Sequence, residues 1–186
     1  MSRIVISSDR MYLKTSDRFM ANAILEFHIK NKDHFSRWEA LKGHDYYTKA
    51  YTKALIRHED RQFRQAKEIA FWLSDREKND GKIIGRVSVF GIIPGNYSTC
   101  IIGYKIDEDY EGKGYAKEAV RAVERFLYEE VGIRRIEALI LPENKRSEGL
   151  VISLGYEFES IAKEVVEVAG IRRDHLRYYK ILGGER

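Results

Sequence analysis

One segment constrains this chain more than any other: Tyr104-Lys105-Ile106-Asp107-Glu108-Asp109-Tyr110-Glu111-Gly112-Lys113-Gly114-Tyr115-Ala116. Strand-like residues lead into a short loop with two glycines, and Ala116, Ala119, Val120, Val123, Phe126 and Leu127 then recur with a helical period. A strand that runs through such a loop into a helix sets unpaired backbone N–H groups and the positive end of the helix dipole at one point. That arrangement binds an anion, most often phosphate. Gly112 and Gly114 allow close approach of the main chain, and Lys113 or Lys117 can add charge.

The loop does not fit the commonest nucleotide motifs. A dinucleotide fingerprint needs a third Gly or Ala where Lys117 stands, and the preceding strands read as hairpins instead of a βαβ unit. A Walker loop needs Gly-Lys-Ser/Thr, which is absent. The glycines alone are equally compatible with a tight turn that binds nothing, so the surrounding chain has to decide.

That chain is 186 residues long, 44% hydrophobic and 33% charged with two prolines, which suits a single domain over residues 1–186 and excludes a disordered tail. A net charge of +4 is spread along it, so no polybasic arm announces nucleic acid or membrane as a partner. The single cysteine, Cys100, has no partner for a disulfide, and none of the five histidines has a metal-ligand spacing, so no metal is expected. Residues Met1 to Met20 carry charges throughout and lack a secretory apolar run; the expectation is a cytoplasmic protein. The uncharged stretch Val87 to Tyr104 is interrupted by Pro94-Gly95-Asn96 and reads as two strands and a turn, not a membrane span.

The pattern predicts seven strands and about four helices. Arg10 to Lys14 is the first strand, and Asp17 caps a helix with Met20, Ile24, Phe27 and Ile29 inward. Gly43 and His44 break the chain before a second helix, Tyr46 to Glu68, packed through Ala50, Ala54, Leu55 and Phe63. Three antiparallel strands follow, at Ile69 to Leu73, Ile83 to Phe90 and Tyr97 to Ile106, with turns at Asn79-Asp80-Gly81 and Pro94-Gly95-Asn96. The next helix, about Gly114 to Glu130, shows Lys117, Glu118, Arg121, Glu124 and Arg125 outward and stops at Gly132. A fifth strand, Arg135 to Leu141, ends at Pro142. Asn144 can cap a short helix to Leu154, and a hairpin with arms Phe158 to Val168 and Ile171 to Leu182 closes the chain at Ala169-Gly170.

From Ile102 to Leu182 this order resembles the GNAT superfamily of N-acetyltransferases, whose acyl-CoA signature Gln/Arg-x-x-Gly-x-Gly/Ala reads here Glu111-Gly112-Lys113-Gly114-Tyr115-Ala116. Gly103 to Asp107, the turn Pro142-Glu143-Asn144-Lys145-Arg146-Ser147, Leu154-Gly155-Tyr156, and Arg173-Asp174-His175 with Tyr178 are similar to the branch that acetylates ribosomal-protein N-termini. The resemblance implies an α/β fold in the α+β sense: a mixed, mostly antiparallel seven-stranded sheet, splayed between its fourth and fifth strands. Acetyl-CoA is the implied cosubstrate. Its pantetheine arm would lie in the splay against Tyr104 and Ile106, and the amides of Gly112, Lys113, Gly114, Tyr115 and Ala116 would cradle the pyrophosphate. Lys113, Lys145 or Arg146 would meet the 3′-phosphate. Glu111 stands where relatives carry Gln or Arg, so its side chain must point away from the phosphates.

Asn144 has two readings, an N-cap and a contact to pantetheine or an ordered water; Ser147 is either an ordinary first-turn residue or a neighbour of the sulfur. Relatives place a tyrosine acid where Val151 stands, leaving Ser147 as the candidate acid, and their fourth-strand glutamate falls at Cys100 or Ile101. The base is therefore undefined, and water-relayed deprotonation is one route. Cys100 as a covalent nucleophile is a rival to direct transfer. Among Phe27, Phe35, Trp38, Tyr46, Tyr47 and Tyr51, which serve equally well as core, Trp38 is the best acceptor-pocket candidate. Gly149 inside a short helix hints at close approach of a backbone or ligand. The expected acceptor is a primary amine, most readily a protein N-terminus. A small amine such as a polyamine, amino acid or antibiotic is the alternative, and a silent CoA-binding or nucleic-acid-binding module stands against both. Monomer and homodimer are equally compatible with the sequence.

Overall fold

A computed structural model describes residues 3–78 and 80–183. Among the described residues, eight strands form one sheet in the order β1-β2-β3-β4-β5-β6-β8-β7. They are β1 (Val5–Ser7), β2 (Met11–Thr15), β3 (Ile69–Asp75), β4 (Gly85–Ile93), β5 (Thr99–Ile106), β6 (Arg135–Ile140), β7 (Glu157–Val168) and β8 (Ile171–Ile181). All neighbours are antiparallel except β5 and β6. The mixed, mostly antiparallel class is as expected, with one strand more. That strand, β1, is three residues long and too short for alternation to announce it; its pairing with β2 defines it.

The helices are α1 (Ala21–Lys30), α2 (Lys32–Ser36), α3 (Lys49–Arg64), α4 (Tyr115–Phe126) and α5 (Lys145–Ser153). Asp17 does cap, but its carboxylate accepts from Phe19 N in a 3-10 turn, Arg18–Met20, ahead of α1. Ile29 faces outward, 54% exposed. The second predicted helix divides: a 3-10 turn, His44–Tyr47, precedes α3, whose start is set by Thr48 accepting from Tyr51 N. Ala50 and Ala54 are exposed, and the buried stripe is Thr52, Ile56 and Glu59. The reason is polar: buried Glu59 accepts from Trp72 Nε1 at 3.0 Å and pairs with Arg86 at 2.8 Å, so an inward face that apolar periodicity cannot reveal is held by a carboxylate. Likewise Glu124, expected outside on α4, is buried and takes Lys180 Nζ at 2.7 Å. Glu118 is half-buried, bonded to Arg10.

The closing hairpin forms as expected, and its tip is tied back: Ala169 N donates to Glu39 O at 3.0 Å. Asn79 of the predicted turn lies outside the described residues. A Cβ placed on Gly149 would meet nothing within 4 Å, so the expected close approach of a backbone is not found.

The sheet separates two cores. Met11, Phe71, Val87, Ile102, Ile136 and Tyr178 join α4 on one face, while Trp72 meets Ile24, Phe27 and Phe35 of α1 and α2 and Ile56 of α3 on the other. Because side chains alternate along a strand, and register partners share a face, each strand residue can be assigned to a side.

Candidate active site

Only Thr99 to Ile101 of β5 pair with β6, at Arg135 to Glu137. Beyond them the two strands part, leaving Ile102 to Ile106 bonded to β4 alone. A cleft of about 430 Å³ opens at this splay. Residues of both sheet faces line it, including Tyr104, Ile106, Gly112, Gly114, Asn144 and Ser147, together with Trp38, Glu39, Lys105 and His175. The predicted splay is thus present, and the signature loop stands at its mouth.

Gly112 (φ 70°) and Gly114 (φ 83°) occupy the left-handed region, where a Cβ is disfavoured. Both are exposed. The first bond of α4 runs from Glu118 N to Gly114 O, so the amides of the preceding turn have no acceptor within the helix. The loop is braced on two sides. Arg10 donates to Lys113 O at 2.9 Å, pairs with Glu118 at 2.7 Å and lies 4.3 Å over the Tyr115 ring. Buried Asp107 accepts from Lys30 at 2.7 Å and from Asn31 at 3.0 Å, while Asn31 Oδ1 accepts from Glu108 N.

Glu111, the departure from the signature, is held between His34 Nε2 at 2.9 Å and Arg146. Its charge is therefore engaged by two basic groups at the loop's flank. Lys113 Nζ folds onto Asp109 O at 2.6 Å, and Lys145 pairs with Glu148 at 2.8 Å. All three basic candidates, Lys113, Lys145 and Arg146, already have protein partners.

On the α4 and α5 side, Tyr104 Oη stands 2.7 Å from Ser147 Oγ and 3.2 Å from Ser147 O. Burial pushes the Tyr104 phenol up to about 12, against the Ser147 bond and the charge of Arg146, so it remains a protonated donor at neutral pH. Asn144 Oδ1 accepts from Ser147 N at 3.1 Å, which makes it the N-cap of α5. Val151 and Cys100 are fully buried. Burial, then the charge of Glu137, pushes the Cys100 thiol up to about 12, an environment that suppresses the thiolate a nucleophile needs.

The opposite side holds what sequence reasoning missed. Lys105 alternates with Tyr104, so it faces α1 and α2; its Nζ meets Glu39 at 2.7 Å and lies 4.9 Å from the Phe35 ring centre. Burial pulls the Lys105 ammonium below its ordinary value. For Glu39, burial works upward, but Lys105, Lys42 and Arg86 outweigh it and hold the carboxyl low. Trp38, half-buried, lines the cleft with this pair, and so does Phe35, which is also core; Phe27 is core alone. His175 of β8 also lines the cleft, 5% exposed. The period-two alternation of β5 was a sufficient signal for Lys105; His175 stands in the Arg173-Asp174-His175 run that carries the resemblance, which gave it no place in the cleft, and nothing local marks Glu39, which reaches the cleft through tertiary packing.

Among the described residues no group of three or more His, Cys, Asp or Glu could hold a metal ion, and no helix is long and apolar enough to cross a membrane.

A splayed sheet with a glycine loop at the mouth of its cleft is the arrangement that the resemblance to the acyl-CoA-dependent N-acetyltransferases implies. Residues 14–157 match the model of the acetyltransferase (GNAT) domain. The chain is 30% identical over 171 residues to the probable N-acetyltransferase YjcK of Bacillus subtilis, covering 92% of this chain and 93% of that one. It is 26% identical over 174 residues to the ribosomal protein uS5-alanine N-acetyltransferase of Escherichia coli, covering 94% and 89%. The structure of Mycobacterium smegmatis RimJ in complex with CoA-disulfide superposes with a TM-score of 0.89 at 22% identity, covering 98% and 90%. The protein belongs to the GNAT family and is an acetyl-CoA-dependent N-acetyltransferase.

Proposed function

We propose that this enzyme acetylates the α-amino group of a protein N-terminus, by direct attack in a ternary complex. The observation that carries the reading is the cleft at the β5–β6 splay, lined from both sheet faces: one side suits the donor, the other an incoming amine. On the donor side, the free edge of β5 at Tyr104 and Ile106 can pair with an extended amide-bearing arm. The amides from Gly112 to Ala116 can take the pyrophosphate, and two glycines without a Cβ leave them open. Lys113, Lys145 or Arg146 would release its present partner to reach the 3′-phosphate. Asn144 holds the turn that presents Ser147, and Ser147 supplies a proton to the leaving sulfur.

On the acceptor side, Trp38 gives an apolar wall and Glu39 a carboxylate kept charged at neutral pH, which suits an ammonium. The relative named as the ribosomal protein uS5-alanine N-acetyltransferase supports a protein acceptor, and work on such a substrate would lie in the cytoplasm. Positioning an amine against a thioester supplies most of the acceleration, and acid–base help adds about a hundredfold or more.

The test is release of CoA thiol with peptides beginning Ala or Ser, α-blocked copies of the same peptides with an internal lysine, and polyamines or amino acids. Acetylation mapped by mass spectrometry to free α-amino groups is expected. Turnover with the small amines alone would overturn the protein-acceptor reading, and CoA binding with no turnover on any amine would overturn enzymatic transfer.

A further inference from the structure

Acetyl transfer to an ammonium needs a proton acceptor, and no glutamate stands on β5 to serve. We propose that His175 takes that proton. The assignment rests on the acetyl-transfer reading above and goes beyond it by naming the base.

Three observations converge. The first is side. Leu139 pairs with Arg177 across β6 and β8, and Ile101 with Glu137 across β5 and β6, so His175, two residues from Arg177, shares the sheet face of Lys105. It therefore lies on the acceptor side of the cleft, opposite Tyr104 and Ser147.

The second is the tautomer. His175 Nδ1 lies 3.0 Å from the carbonyl oxygen of Arg173. A carbonyl only accepts, so Nδ1 carries the hydrogen and the neutral ring keeps its lone pair on Nε2. No described residue bonds to Nε2. The third is competition: His34 is bonded to Glu111, and Glu39 is bonded to Lys105. The charges around His175 are Glu143 and its own neighbours Arg173 and Asp174, with Glu39 and Lys105 on the same cleft wall.

The step balances as follows. One ammonium proton moves to Nε2, giving an imidazolium that later returns it to solvent. The freed nitrogen lone pair forms the N–C bond at the thioester carbonyl as the C–S bond breaks. Ser147 gives its proton to sulfur, the second nitrogen proton passes through water to restore the Ser147 hydroxyl, and the net yield is amide, thiol and one proton.

The experiment compares wild type, His175→Gln and His175→Ala on an α-amino peptide, over pH, with free imidazole added. His175→Gln should lower kcat/KM on the order of a hundredfold and abolish the acid limb of its pH profile, leaving the KM for acetyl-CoA unchanged. Imidazole should restore part of the His175→Ala rate. A His175→Gln enzyme with the wild-type rate and acid limb would overturn the assignment. So would a slow variant whose acid limb persists and whose His175→Ala counterpart ignores imidazole, since that marks a structural role. A wild type inactive on every amine would instead remove the acetyl-transfer reading, and this one with it.

Discussion

Replacing Tyr104 with phenylalanine tests whether two hydroxyls act as one unit. The change keeps the ring in place and removes the oxygen that lies 2.7 Å from Ser147 Oγ and 3.2 Å from Ser147 O. With its phenol pushed up to about 12, Tyr104 donates at working pH; when it donates to Oγ, the serine hydrogen is free to point at sulfur. A single hydrogen bond contributes about 0.5–1.5 kcal/mol net, which at about 1.36 kcal/mol per decade corresponds to a two- to tenfold fall in kcat. Ser147→Ala removes the proton donor itself and should cost on the order of a hundredfold. The two losses should not multiply, because once Ser147 is gone Tyr104 has no Oγ to orient, so the double variant should match Ser147→Ala. The assay is CoA thiol release at saturating peptide and acetyl-CoA, with urea unfolding to confirm that Tyr104→Phe costs no more than about 1.5 kcal/mol. Full kcat in Tyr104→Phe, or a double variant slower than Ser147→Ala by the Tyr104→Phe factor, would refute the coupled arrangement.

Gly114→Ala places a side chain at φ 83°, costing about 1–2 kcal/mol, and sets Cβ 3.4 Å from an Arg10 guanidinium nitrogen. It should raise the KM for acetyl-CoA several-fold and lower Tm by about 2–8 °C, read by steady-state kinetics and calorimetry. Glu39→Gln strands the largely buried Lys105 ammonium. Since the pair retains 26% and 15% side-chain exposure, the loss should be about 2 kcal/mol, below the range for fully buried pairs, and Lys105→Met in the same chain should recover most of it in urea titrations. Burial, aided by Lys105, Arg86 and Lys42, lowers His28 to about 3, so the unfolded chain binds more protons than the native one between about pH 6.5 and 3. Stability should therefore fall on acidification through that window by up to about 1.4 kcal/mol per pH unit, with no contribution above it, and His28→Gln should flatten the slope in pH-resolved unfolding.

How much of this was legible beforehand follows from where each signal is local. The Glu111-to-Ala116 loop was readable because glycines with positive φ and the helix start they precede are written in consecutive residues. Asn144 was readable as a cap for the same reason, and its Oδ1 does accept from Ser147 N. The inward faces of α3 and α4 were misread at Ala50, Ala54 and Glu124, because Glu59 and Glu124 are buried by partners on distant strands, Trp72, Arg86 and Lys180. No window of residues contains those pairings. Glu39 was invisible on the same grounds: its place is fixed by Lys105, 66 residues on, and by the hairpin tip at Ala169.

The site's location follows from topology more than from any one motif. β5 and β6 are the one parallel pair among the described strands, and each passes from its carboxyl end through a short connection toward a helix, α4 and α5. Parallel strands present those ends on the same side, so Gly114 and Asn144, the caps of the two helices, converge where the strands separate. Two positive helix ends then face one cleft, which favours an anionic ligand there before any lysine is counted. Alternation completes the division of labour: Tyr104 goes to the face of α5 and Ser147, and its neighbour Lys105 goes to the face of Trp38 and Glu39. A one-residue slip of β5 would exchange them. The β4–β5 ladder from Gly85↔Ile106 to Phe90↔Ile101 is therefore what keeps donor chemistry and acceptor chemistry on opposite sides of the same gap.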